Sequence, residues 1–375
     1  MKLTRHGAVL AMVTAGALAL TACGSDNNTG GSSGGQSAAG GAAASVAPCA
    51  GKKSLTAEGS TAQKNAMDAF VAAYQQSCSG YNLAYNATGS GAGVKQFSAG
   101  QVDIGGSDSP LDAAKGETEA AAKRCGGNPA WNLPMVFGPI AVAFKVNGVD
   151  NLTLNGETIA KIFNGQIKTW NDPAIAVLNP GVPLPATPIN VLYRADQSGT
   201  TDNFQKYLGA ASNGVWTKGA GKTFNGGVGE GRQGNPGVGQ GVSAADGTIG
   251  YVEWSFAQQN KLTVAKIDSG AGPVELTNDT VGKAIDGAKV AGAGNDLALD
   301  LNSIYSSKTP GTYPLVLATY ELVCSKGYDP DTTGAVKAFL ASAATNGQGQ
   351  LASIGYVPLP PAFQQKIMDS VRAIS

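Results

Sequence analysis

Three short stretches share a composition suited to holding an anion: Gly59-Ser60-Thr61-Ala62, Gly89-Ser90-Gly91-Ala92-Gly93 and Asp196-Gln197-Ser198-Gly199-Thr200. Glycine lets a backbone approach a ligand closely, and Ser and Thr hydroxyls donate hydrogen bonds. Where such a turn opens a helix, unpaired N–H groups and the positive end of the helix dipole add to the donors. Taken singly, each stretch is more simply an ordinary N-cap or tight turn. Brought together, the three would bind an oxyanion with little formal charge.

Two charged residues sharpen this reading. Arg194 ends an apolar run just before the third stretch, where its planar fork could meet an anion bidentately. Asp108 lies in GGSDSP. A carboxylate beside an anion makes sense only if the ligand brings a proton to donate. The plainer alternative is that Asp108 caps a turn and Arg194 pairs with Asp196.

Composition removes several rivals. His6 is the single histidine and lies in the leader, so the exported chain has none. That excludes His-based triads and His-containing zinc sites. A phosphatase, which needs a nucleophile with a base or paired metals, finds no such groups. Gly229, Gly231 and Gly234 match a dinucleotide-binding spacing, but no strand is expected before them. Gly221-Lys222-Thr223 lacks the earlier glycine of a phosphate loop, since Trp216 stands there. Trp170, Trp216 and Trp254 are expected as exposed aromatics that pack loops. No metal or cofactor is expected.

The elements that must position these turns follow from hydrophobic spacing. A strand is expected over 53–58 and a helix over 62–76. Tyr81, Leu83 and Tyr85 alternate as a second strand, a short helix covers 94–98, and a third strand begins at Val102. Repeated strand–turn–helix units imply an α/β sheet. A helix over 155–165 with Gly165 at its end, a strand over 189–193, a helix to Leu208 and a strand over 248–253 follow. Helices at 332–344 and 361–374 close the chain. Long apolar runs at 133–146 and 313–324 could carry the chain between two domains.

The N-terminus reads as an export signal over 1–22: Lys2 and Arg5, a short apolar core, then Leu20-Thr21-Ala22-Cys23. Small residues before a cysteine resemble a lipobox, which makes Cys23 the lipidated first residue. The Gly/Ser/Ala-rich stretch that follows, up to residue 48, reads as a disordered tether spanning on the order of 25–30 Å. Cleavage removes Lys2 and Arg5 from a chain with 26 Lys+Arg and 26 Asp+Glu, leaving it slightly acidic. Such a balance does not suit nucleic acid. Four further cysteines in an exported chain suggest two disulfides. In a βα unit the helix end returns near the start of its strand, so Cys49 should meet Cys78. Cys125 precedes one apolar run and Cys324 ends the other, so those two should meet if the runs lie antiparallel.

The chain carries, in order, the stretches GSTA, NATGSGAGVKQF, VDIGGSDSPL, ETIAKIFNGQIKTWNDPAI, YRADQSGTTDNF, RQGNPGV, GTIGYVEW and YPLVLATYELV. Over 49–375 they resemble the phosphate-binding proteins of phosphate-specific ABC importers. The resemblance implies a two-lobed Venus-flytrap fold of the periplasmic-binding-protein type, with mixed sheets flanked by helices. Domain I would comprise 49–139 and 313–375, and domain II 140–312. Inorganic phosphate in the cleft would meet Thr61, Ala62 through its N–H, Ser90, Asp108, Arg194, Ser198, Gly199 and Thr200. The position after Thr61 is often a large apolar residue in that family; Ala62 keeps the backbone donor. The same resemblance implies a monomer, not an enzyme, that delivers phosphate to permease subunits with their cytoplasmic ATPase. It would be lipid-anchored at the outer face of the cytoplasmic membrane. Sulfate or molybdate is the rival ligand, and Asp108 argues against both.

Overall fold

A computed structural model describes residues 49–375. The export signal, Cys23 and the tether lie outside the described residues.

The first half is built from parallel β-α units. Strand β1 (Ser54–Gly59) buries Leu55 and Ala57 in alternation. Helix α1 (Lys64–Ser77) buries Ala66, Met67, Phe70 and Tyr74 on one stripe. Strand β2 (Asn82–Ala87), helix α2 (Ser90–Ser98), strand β3 (Ile104–Ser107) and helix α3 (Glu117–Arg124) follow. β1 pairs in parallel with both β2 and β3. One boundary differs from expectation in a way that matters. α2 begins at Ser90, not near Val94, so the Gly-rich stretch is the helix's first turn.

The long strand β4 (Ala130–Lys145) joins the two halves. Then come β5 (Thr153–Asn155), α4 (Gly156–Phe163), α5 (Pro173–Ala176), β6 (Asn190–Arg194), α6 (Gly199–Ala211), β7 (Glu230–Arg232), α7 (Gly234–Ala244), β8 (Thr248–Glu253) and α8 (Trp254–Gln259). Gly165, at φ +79, follows the end of α4. Five strands of two or three residues, β9 (Thr263–Val264), β10 (Lys266–Asp268), β11 (Pro273–Val274), β12 (Lys289–Val290) and β13 (Leu299–Asp300), with α9 (Asn278–Ile285) and α10 (Asn302–Tyr305), lead back. The wholly buried β14 (Val316–Cys324) and helices α11 (Pro330–Ala344) and α12 (Pro361–Ala373) complete the chain.

The main sheet runs β2-β1-β3-β14-β4-β8-β6-β7, with β9 also on β4. β4 changes partner along its length. Ala130 to Pro139 lies antiparallel to β14, and Ile140 to Lys145 lies antiparallel to β8. Both apolar runs are therefore strands, and both are buried.

One assumption about loops fails. Trp170 and Trp216 are buried core residues, not exposed aromatics; Trp170 donates its indole N–H to Gly247 O at 3.1 Å. No strand precedes Gly229; the short β7 lies inside the Gly229–Gly234 stretch, and Gly234 opens α7.

The disulfides are Cys49–Cys78 and Cys125–Cys324, with Cα atoms 5.5 and 5.4 Å apart. Cys78 is the C-cap of α1 and Cys125 that of α3, so each bridge ties a helix end to the β1–β3–β14 half. Removing the Cys49–Cys78 bridge frees a short loop in the unfolded chain. A Cys49→Ser/Cys78→Ser double variant should therefore lose about 3–4 kcal/mol. Urea denaturation checks this, and an unchanged midpoint would contradict the loop-closure account.

Candidate functional site

The three Gly/Ser/Thr stretches follow β1, β2 and β6 and meet beside Asp108, which follows β3. Gly199, first residue of α6, touches the opposite half directly. A Cβ there would come to 2.7 Å from Asp108 Cβ and 2.8 Å from Ser90 Oγ. Gly91 N–H donates to Gln197 O at 2.9 Å. Thr200 Oγ1 donates to Asp108 Oδ2 at 3.0 Å and lies 3.3 Å from Arg194 Nη1. Asp108 N–H donates to Ser90 Oγ at 3.1 Å. Thr61, Ala62, Ser90, Asp108, Arg194, Ser198, Gly199 and Thr200 are all buried. Contacts on the far side come from Ser109 to Asp202, Asn65 to Ser255 and Lys222 to Glu117. The segments before Pro139 and after Ile140 are thus shut upon each other.

Hydrogen-bond direction decides what the hydroxyls can do. Thr61 Oγ1 accepts from Asn235 N–H at 3.1 Å and from its Nδ2 at 3.0 Å. Ser90 Oγ accepts from Asp108 N–H, and Ser198 Oγ from Thr201 N–H at 3.2 Å. In each case the protein fills the acceptor side and leaves the O–H to donate. The helix ends agree. α1 and α2 start without a capping side chain, so their first-turn N–H groups are not taken by one, whereas at the start of α7 Gly234 N–H donates to Asp196 Oδ1 and Asn235 N–H to Thr61 Oγ1. α6 is capped by Ser198.

Asp108 is the exception in this donor-rich setting. Its Oδ1 is buried and has no partner. Burial is the largest influence and raises its pKa; Ser60, Arg194 and Thr200 oppose the rise. An acceptor without a donor costs about 1–3 kcal/mol, so a group that brings a hydrogen to Oδ1 gains that much.

Arg194 departs from expectation. Its Nε donates to Asp196 Oδ1 at 2.8 Å and its Nη2 to Asp196 Oδ2, so Asp196 takes the bidentate face. Burial pushes the Asp196 acid up, but the Arg194 guanidinium and the Gly234 N–H more than reverse this and hold it low. Nη1 remains on the site side. The arginine's charge is therefore largely matched within the protein. Ala62 also departs: its N–H is engaged by Ser60 Oγ at 3.0 Å.

Sequence reasoning missed Asn235 and the start of α7. Asn235 is fully buried, orients Thr61 and accepts Glu253 N–H at 2.8 Å. The only signal was Gly234-Asn235-Pro236, a glycine and proline bracketing a helix start. Among the described residues, no group of three or more His, Cys, Asp or Glu could hold a metal ion, and no helix is long and apolar enough to cross a membrane.

The sequence matches the PBP superfamily domain over residues 32–345. It is 54% identical over 377 aligned residues, spanning both chains entirely, to the phosphate-binding protein PstS2 of Mycobacterium bovis. It is 32% identical over 294 residues, 77% of each chain, to the phosphate-binding protein PstS of Xylella fastidiosa. Among solved structures, a high affinity periplasmic phosphate-binding protein bound with phosphate aligns with a TM-score of 0.66 at 24% identity, covering 84% of this chain and 93% of that one. A phosphate-binding protein from Stenotrophomonas maltophilia aligns with a TM-score of 0.63 at 20% identity, covering 85% and 94%. These structural likenesses establish the α/β periplasmic-binding-protein fold, with its sheet flanked by helices. The chain belongs to the PBP superfamily and, within it, to the family of PstS phosphate-binding proteins.

Proposed function

We propose that this protein captures inorganic phosphate outside the cytoplasm and hands it to an ABC importer, without catalysing a reaction. The carrying observation is Asp108 Oδ1, a buried acceptor with no partner in a pocket otherwise lined by donors. Hydrogen phosphate satisfies both sets: its oxygens accept, and its proton donates. Sulfate has no proton at neutral pH and would set a lone pair against Oδ1. Thr61, Ser90 and Ser198 supply hydroxyls. Gly199, Thr200 and the Ala62 turn supply backbone, and Arg194 supplies Nη1. Asn235 joins them as the residue that orients Thr61.

On this reading the protein works as a monomer with two lobes, 49–139 plus 313–375 and 140–312, hinged where β4 changes partner. Ligand contacts from both lobes favour the closed arrangement. Lipidation of Cys23 would keep the protein at the outer face of the membrane near its permease. Small-angle scattering with and without phosphate tests the hinge: a more compact bound particle is expected, and identical profiles would count against closure. The mass of the N-terminal peptide tests the lipid, and an unmodified Cys23 would remove it.

Two measurements test the site. Calorimetry should find sulfate roughly 10⁴-fold weaker than phosphate or worse, the penalty of an unmatched polar contact in a closed site. Comparable affinities would overturn the proposal. Arg194→Ala should weaken phosphate binding by roughly 30-fold or more. It should also destabilise the fold by about 3–5 kcal/mol, because it strands the Asp196 carboxylate. An Arg194→Ala protein that binds and melts like the parent would refute both roles.

A further inference from the structure

Asp108 stands one position past Ser107, the last residue of β3 and the last that pairs with β14. Its carbonyl therefore has no ladder partner, and the residue is buried. A carbonyl in such a place needs a donor from elsewhere in the chain. Among the described residues it has one, the side-chain amide of Asn203 in α6, with Nδ2 at 2.7 Å. Asn203 is itself buried. It belongs to none of the three Gly/Ser/Thr stretches.

The orientation of this amide is forced. Nδ2 also donates to the Gly199 carbonyl at 2.8 Å, so both of its hydrogens are used. Turned the other way, the amide would set Oδ1 against two carbonyl oxygens with no hydrogen between them. As it stands, Oδ1 faces Tyr305 Oη of α10 at 2.6 Å. An amide oxygen only accepts, so the phenol donates there. The Val316 carbonyl lies 3.2 Å from the same hydroxyl and is the weaker competitor for its single hydrogen.

Thr200 and Asn203 lie three residues apart on α6 and so share one face. Thr200 holds Asp108 Oδ2, and Asn203 holds the carbonyl of the same residue. From the other half, Ser90 Oγ takes the Asp108 N–H. The neighbouring Asp202 takes the Ser109 hydroxyl and leaves the Asp108 carbonyl to Asn203. Main chain and side chain are thus pinned together, and Oδ1 is left a single place to point. We propose that Asn203 is a specificity-determining positioning residue: by holding the Asp108 main chain against α6, it aims Oδ1 at the proton that phosphate carries and sulfate lacks. Without that donor the carbonyl is stranded, and the turn relaxes until water reaches it. Oδ1 then recedes from the ligand, and the penalty against an unprotonated anion falls. Residues 108 and 203 belong to opposite lobes on the proposed division, so the bond forms as the cleft shuts.

The inference rests on the phosphate reading and is tested so that the two fail separately. Phosphate binding is measured by calorimetry at neutral pH, and sulfate binding by its competition with phosphate. The quantity read is the sulfate dissociation constant divided by that of phosphate, for the wild-type chain, Asn203→Leu and Asn203→Ala. Leucine fills the space of the amide and donates nothing, so the ratio should fall about tenfold, the worth of a lost buried hydrogen bond. Alanine leaves room for a water that can donate to the carbonyl, so the ratio should fall by less. A role in packing alone would weaken both anions alike, or lower the melting temperature, without moving the ratio. An Asp108→Ala background keeps the carbonyl and removes the acceptor; there Asn203→Leu should leave the ratio unmoved. An unchanged ratio in Asn203→Leu overturns the inference, as does an unchanged ratio in Asn203→Ala should the leucine variant not fold. The same fall persisting without the Asp108 carboxylate also overturns it. A wild-type chain that binds no phosphate, or binds sulfate equally well, overturns the reading beneath it instead.

Discussion

An anion site with almost no net positive charge sets the terms for the rest of this structure. Arg194 is matched by Asp196, and Asp108 adds an acceptor rather than a cation. Attraction must then come from dipoles, and dipoles act only at close range and in the right direction. That requirement explains why four helix starts converge on one place, why Gly199 abuts Asp108, and why the lining residues are buried. Shielding from water strengthens each of these donors and, on the proposed reading, makes the unfilled acceptor Asp108 Oδ1 correspondingly selective.

Buried polar groups of this kind need support from below. Asn235 fills the acceptor side of Thr61 and itself accepts from Glu253 N–H. Tyr251 donates to no carbonyl here; it accepts Arg194 N–H at 3.1 Å and meets Thr201 Oγ1 at 2.7 Å. Tyr356 Oη donates to the Ala62 carbonyl, and Tyr85 to that of Ser60. The turn between β1 and α1 is thus held by two tyrosines from different parts of the chain. Geometry at the ligand face is inherited from these contacts, and a change well behind the turn can reach the anion.

Much of this was legible because local rules carried it. Alternation in β1, the stripe on α1 and the topology of a βα unit were enough for the early elements and for the Cys49–Cys78 pairing. The position of Arg194 at a strand end was also readable. What it bonds was not, since Asp196 two residues on competes with any ligand for the same fork, and only the folded geometry decides. Asn235 was hidden for another reason. Its importance comes from a contact with Thr61 across 174 positions, and nothing in the local sequence announces a partner that distant. Trp170 and Trp216 misled for the opposite reason: they sit in loop-like sequence, yet tertiary packing buries both.

The account turns on the contact between the ligand and Asp108. A crystal structure of the exported chain grown with phosphate, at a resolution that separates the four oxygens, examines it most directly. The account predicts a tetrahedral anion enclosed by Thr61, Ser90, Ser198 and Thr200, with one oxygen within about 2.5–2.7 Å of Asp108 Oδ1, the span of a charge-assisted O–H···O⁻ bond. An anion bound without touching Asp108, or an Asp108 carboxylate turned out to solvent beside it, would contradict the account.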